Sequence, residues 1–105
     1  MSAQLYSALL LEGPGSSSTV VPAGLLYVVR DISVTLDTNG TAAPINFLVQ
    51  LNGVTFYNAA QVALMLRSYH WDGRQVCGTG ATLEAIVLGT GVASYTVSGY
   101  ALTTP

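Results

Sequence analysis

Apolar and polar residues alternate along most of the chain in short runs. Gly, Asn, Asp or Pro interrupts these runs at the spacing of strands and turns. The alternation is cleanest at residues 45–51, where Ile45, Phe47, Val49 and Leu51 interleave with Asn46, Leu48 and Gln50. The longest run covers residues 25–37. Its second half sets Ile32, Val34 and Leu36 against Ser33, Thr35 and Asp37, but Tyr27 and Val29 upstream have the opposite parity. A bulge near Arg30 and Asp31 would bring both halves onto one face.

Residues 3–11 form the first run, with Leu5, Leu9 and Leu11 on one face and Gln4, Tyr6, Ala8 and Leu10 on the other. Residues 12–19 (EGPGSSST) read as a flexible loop, residues 19–21 as a short extended piece, and Pro22-Ala23-Gly24 as a turn. Asp37-Thr38-Asn39-Gly40 is a further turn. Asn52-Gly53 supplies the left-handed pair of a type I′ hairpin that returns through residues 54–57. Asp72-Gly73 reads as a second hairpin turn, between residues 67–71 and 74–77. Residues 58–66 are ambiguous between a short helix and a loop. Residues 81–88 and 92–102 are the last two strands, joined by Gly89-Thr90-Gly91.

About eight strands at this spacing predict an all-β fold, a single antiparallel β-sandwich that is jelly-roll-like or Ig-like. Residues 19–105 are assigned to that domain, and residues 1–18 to an N-terminal arm, or first strand, plus a hinge. The arm is the expected form. Residues 2–11 are uncharged and apolar on both faces, and Gly13-Pro14-Gly15-Ser16-Ser17-Ser18 follows them. In the alternative, the segment is simply the first strand of the sandwich.

Composition narrows the function. Only 8% of the 105 residues are charged and the net charge is -2, against about 25% charged in an average soluble domain. The cations are Arg30, Arg67 and Arg74 alone, too few for binding nucleic acid through its phosphates. One Cys makes no disulfide framework, and the single His70 and Cys77 make no metal cluster, so no cofactor is expected. The longest uncharged stretch, residues 38–66, is broken by Asn39, Gly40, Pro44, Asn46, Gln50, Asn52, Gly53 and Asn58, which argues against a membrane span. The run at residues 5–11 is short and has no positive flank, so it does not read as a signal peptide. A domain this poor in charge is expected to bury surface against copies of itself or a partner.

Few residues suggest chemistry. Ser68, His70 and Asp72 share one predicted strand face. They are the residue types of acyl transfer, but Cα atoms two apart on a strand lie about 6.6 Å apart and their side chains run parallel. Tyr57, Tyr69 and Trp71 could form a sugar-stacking platform, or they could be core or interface aromatics. Cys77 reads as a small buried hydrophobe. Gly78-Thr79-Gly80 and Gly89-Thr90-Gly91 read as turns, since a phosphate loop needs a following helix. Arg30-Asp31 reads either as a salt bridge or intersubunit contact, or as an exposed bulge pair.

Residues 19–34 (TVVPAGLLYVVRDISV) and 76–102 (VCGTGATLEAIVLGTGVASYTVSGYAL) resemble small β-sandwich virion proteins of tailed bacteriophages. The shared pattern is a V-P-A-G turn into a long strand, a mid-chain hairpin at Asn52-Gly53-Val54-Thr55-Phe56, a W-x-G-x-Q-V-like strand and a terminal V-S-G-Y strand. The resemblance spans about residues 19–102 and implies no catalytic residues. It implies a capsid decoration or accessory head or tail protein, commonly trimeric, located on the virion. The expected partners are then copies of the chain and the major capsid protein or other virion proteins. Candidate oligomer or capsid interface residues are Leu5, Tyr6, Leu9, Leu10, Leu11, Arg30, Tyr69 and Trp71. A tail or head-fibre module binding carbohydrate or a host surface is the alternative, and a small hydrolase the third reading.

Overall fold

The computed structural model describes residues 5–38, 44–61 and 66–103. They form eight strands: β1 (Leu5–Pro14), β2 (Ser17–Val20), β3 (Leu25–Asp37), β4 (Ile45–Leu51), β5 (Val54–Gln61), β6 (Leu66–Cys77), β7 (Thr82–Gly89) and β8 (Val92–Thr103). Two four-stranded antiparallel sheets result, one ordered β1-β8-β3-β6 and the other β2-β7-β4-β5. Strands pair in a nested way, β1 with β8, β2 with β7, β3 with β6 and β4 with β5. That wind is the jelly roll of the two predicted alternatives, not the Ig order.

The predicted core faces of residues 32–36 and 45–49 are the observed ones, but Leu9 and Leu11 do not share a face as expected: Leu9 is exposed and Leu11 buried, because the extra residue Leu10 reverses the parity of β1. Ile32, Leu36, Ile45, Phe47 and Val49 are fully buried, and Leu83, Ala85, Val97 and Cys77 join them from the other strands. The bulge in β3 is present. Val29 pairs with Gly99 and Asp31 with Ser98, so Arg30 is the extra residue opposite β8. It keeps both Val29 and Ile32 in the core although their parities differ. The irregularity crosses the sheet: Leu10 is extra in β1, and Gly73-Arg74 of β6 face Arg30.

Asp72-Gly73 is therefore not a hairpin turn. β6 continues through it, pairing with β3 on both sides, and Gly73 is not among the residues with positive φ. The Asp-Gly signal is shared by turns and bulges, and here the long partner strand decides for the bulge. Gly73 lies beneath the Trp71 ring, where a Cβ would meet Cζ2 at 2.7 Å. Asn52-Gly53, by contrast, is a type I′ turn, with φ of 51° and 81°. Gly53→Val is expected to cost about 1 kcal/mol or more, because a β-branched residue resists positive φ. An unchanged melting temperature would show that this turn tolerates side chains.

The N-terminal segment is a strand of the sandwich rather than a detached arm. β1 pairs with β8 from Leu5 to Pro14, and Leu11 is buried in the core. The Gly/Ser stretch is not a free loop either, since Ser17–Val20 is a strand paired with β7. Tyr95 anchors it: its buried hydroxyl donates to the Gly15 carbonyl at 2.6 Å and shares a 2.6 Å hydrogen bond with Ser17 Oγ. Tyr95→Phe should cost about 1–2 kcal/mol, read as a lower urea midpoint. A midpoint equal to wild type would mean that water replaces the hydroxyl. Asn58–Gln61 belongs to β5, so the part of the ambiguous segment that is described is a strand; residues 62–65 and 39–43 lie outside the described residues.

Candidate functional site

Cross-strand register arranges the outer face of the β1-β8-β3-β6 sheet as rows. One row runs Leu9, Ser98, Asp31, Asp72; the next runs Glu12, Thr96, Ser33, His70; a third runs Pro14, Ser94, Thr35, Ser68. Hydroxyl groups thus dominate the middle of this face, over a shallow trough of about 520 Å³. At the other end Tyr100 pairs with Val28, and Val28 with Val76, so the surface becomes apolar.

His70 sits opposite Ser33, its Nδ1 3.0 Å from Ser33 Oγ, and its Nε2 lies 3.5 Å from Asp31 Oδ1. Ser68 is instead hydrogen-bonded to Thr35 Oγ1 at 2.8 Å. The Ser68, His70 and Asp72 set is therefore not brought together; partners across the strand pair take up Ser68 and His70. The signal that could have pointed to Ser33 and Asp31 is their alternation on the neighbouring long strand, but only the register joins them to His70. This hydroxyl–imidazole–carboxylate line is half exposed, at 54% for His70 and 52% for Asp31. Ser33 and Asp31 stand on the inner strand β3 and His70 on the edge strand β6, so the line spans the β3–β6 strand pair.

The aromatics close the seam between the edge strands β5 and β6. Trp71 meets Phe56 edge-on, with centroids 5.7 Å apart and planes 61° apart, and lies 6.3 Å from Tyr57 at 47°. Tyr57 continues inward to Phe47 and Phe47 to Tyr95. Tyr69 packs against the same core and donates its hydroxyl to the Ala60 carbonyl at 3.0 Å. Tilted rings wedged against a core do not offer the coplanar faces that a sugar platform needs. Burial, and then the neighbouring Tyr69, pushes the Tyr57 phenol up.

The remaining interface candidates separate by burial. Leu9 is 56% exposed, Leu10 packs partly against the core and Leu11 is buried. Leu5 and Tyr6 pair through their backbones with Leu102 and Ala101. Arg30 is half-buried and donates from Nη1 to the Tyr100 hydroxyl at 3.1 Å.

Charge is divided unevenly between the sheets. Glu12, Arg30, Asp31, Asp37, Arg67, Asp72 and Arg74 all lie on β1, β3 and β6, whereas the strands of the second sheet carry Glu84 alone. The outward positions of that second sheet include Leu48, Ile86 and Leu88, with Asn46, Gln50 and Asn58 between them.

Cys77 is fully buried, and desolvation pushes its thiol up to about 11. The native protein should resist thiol-specific reagents at neutral pH and react at once when unfolded. Because the folded state prefers the neutral thiol, this group's contribution holds below the unfolded pKa near 9 and is lost as pH rises toward 11. Rapid labelling of the native protein would show the site opening locally. No protein-family model matches the chain, and no curated protein matches it.

Proposed function

We propose that this chain is a non-enzymatic structural protein of a bacteriophage virion, a capsid decoration protein that binds the major capsid shell as a homo-oligomer, with a trimer favoured. The observation that carries the reading is the segregation of charge, with one sheet face nearly uncharged and studded with Leu48, Ile86 and Leu88. Such a face suits burial against protein, because interface cores are depleted of charge. Jelly rolls recur in viral capsid domains, though also in lectins and cupins, so the fold supports the role only by analogy. The likeness of residues 19–102 to small phage virion proteins supports the same role. The outer face of the β1-β8-β3-β6 sheet supplies hydroxyl groups for adhesion.

Two measurements test the reading. Light scattering should give an oligomer at micromolar concentration, and a stable monomer there would count against self-association. Particle imaging with and without the protein should add density on the shell; particles that never retain it after purification would sink the virion role.

A further inference from the structure

The bulge that adjusts β3 also lifts Arg30 into a depression of about 440 Å³ whose walls include Ala8, Leu9, Ser98, Gly99 and Tyr100. The guanidinium is held there in one orientation. Nη1 donates to the Tyr100 hydroxyl at 3.1 Å, and the guanidinium carbon lies 5.9 Å from that ring's centroid. Nε is shielded from solvent and has no acceptor. Among the described residues no carboxylate pairs with Arg30, and the adjacent Asp31 faces His70 at 3.5 Å. Leu9, Val28 and Val76 give the surroundings an apolar character, with Leu9 and Val76 at least half exposed.

We infer that this niche is a carboxylate-binding site, built to receive an acidic side chain or chain terminus of a protein partner. The chemistry follows from what the arginine lacks. Arg30 has no carboxylate partner of its own among the described residues, and a charge-assisted hydrogen bond to an ionised acceptor is about twice as strong as one between neutral groups. Its remaining Nη1 and Nη2 hydrogens present the planar fork that matches two carboxylate oxygens. Tyr100, accepting from Arg30, keeps its own hydrogen to donate, and Ser98 lines the same depression. Asp31 on the wall opposes every anion but a dianion more than a monoanion, so the selectivity runs toward a carboxylate and away from a phosphate. The exposed Leu9 and Val76 nearby give a partner apolar surface to cover, and covering it would remove water from around the half-buried Arg30. The site deepens the proposed role without depending on it, since the carboxylate can belong to a second copy or to another protein.

The test is a titration followed by NMR on the full chain. N-acetyl-glutamate amide is added, with the glutamine analogue and inorganic phosphate as controls. A saturable shift of the Arg30 Nε–H and Tyr100 signals is expected, weaker with phosphate and missing with the glutamine analogue. Arg67 and Arg74, both exposed, serve as internal references and should not follow it. Arg30→Met should abolish the shift, while Arg30→Lys, which keeps charge and stem, should weaken it roughly tenfold. Light scattering on Arg30→Met then identifies the source. Dissociation of the wild-type oligomer assigns the carboxylate to a second copy, and an unchanged assembly with the shift intact in wild type assigns it to a different protein. A flat titration together with an unchanged Arg30→Met assembly overturns the site, whatever becomes of the virion role. Equal shifts at all three arginines would overturn it as well.

Discussion

Phe47→Ala is expected to leave the protein barely folded at 37 °C. Phe47 sits at 0% exposure on β4, at the centre of one sheet, and its ring is 4.7 Å from that of Tyr95 in the other. It also meets Tyr57 edge-on at 6.4 Å, so its removal opens a cavity and breaks the aromatic line from core to seam. Truncations of this kind cost about 3–5 kcal/mol, out of a total stability of roughly 5–15 kcal/mol for a domain of this kind. With about 4–8 °C lost per kcal/mol at this size, melting should fall by roughly 15–30 °C. Thermal melting and urea unfolding both read this. A loss below about 1 kcal/mol would place Phe47 outside the core.

Gly99→Ala is expected to be almost as damaging, for a different reason. Gly99 lies on β8 opposite Val29, at the point where β3 bulges. A Cβ there would collide with the Val28 carbonyl oxygen and lie 2.9 Å from the backbone nitrogen of Arg30. Those atoms belong to the backbone of a neighbouring central strand, so no side chain can swing aside. The cost should reach or exceed the upper end of the about 1–3 kcal/mol seen for overpacked sites. Gly78→Ala is the control, because nothing lies within 4 Å of a Cβ at that position; it should change stability by less than about 0.5 kcal/mol. Equal melting of the two variants would mean that β3 and β8 do not approach as described. A Gly99→Ala protein that still folds should shift the bulge and lose the contact between Arg30 and Tyr100, which couples this prediction to the carboxylate site.

Much of the fold was legible because a strand's side-chain period is local. Alternation in residues 45–51 and 32–36 named the core faces directly, and the parity break between Val29 and Ile32 located the bulge. Asn52-Gly53 revealed its turn because positive φ at two successive positions is a demand that few residue pairs meet. Asp72-Gly73 carried the same signal and failed, since a glycine also serves where a strand bulges and an aromatic ring covers the backbone.

The candidate sites were less legible. Arg30 was singled out from its place on the bulge, but Tyr100, 70 positions away, was not. Ser68, His70 and Asp72 share a strand face in the sequence reading without converging, and in the fold His70 meets Ser33 and Asp31 on the next strand.

By itself, then, the sequence determined the all-β class, the inward faces of residues 32–36 and 45–49, the bulge, one tight turn and the scarcity of charge. All of these depend on residues within a few positions of each other or on composition. Which strands became neighbours was decided only in the folded structure, and with it the nested order, the incorporation of residues 5–14 as an edge strand and every cross-strand contact of His70 and Arg30. Periodicity says which side of a strand is buried but not against what. Each strand's partner is chosen by the packing of whole faces and by the closing of long loops, and both of these are properties of the complete chain.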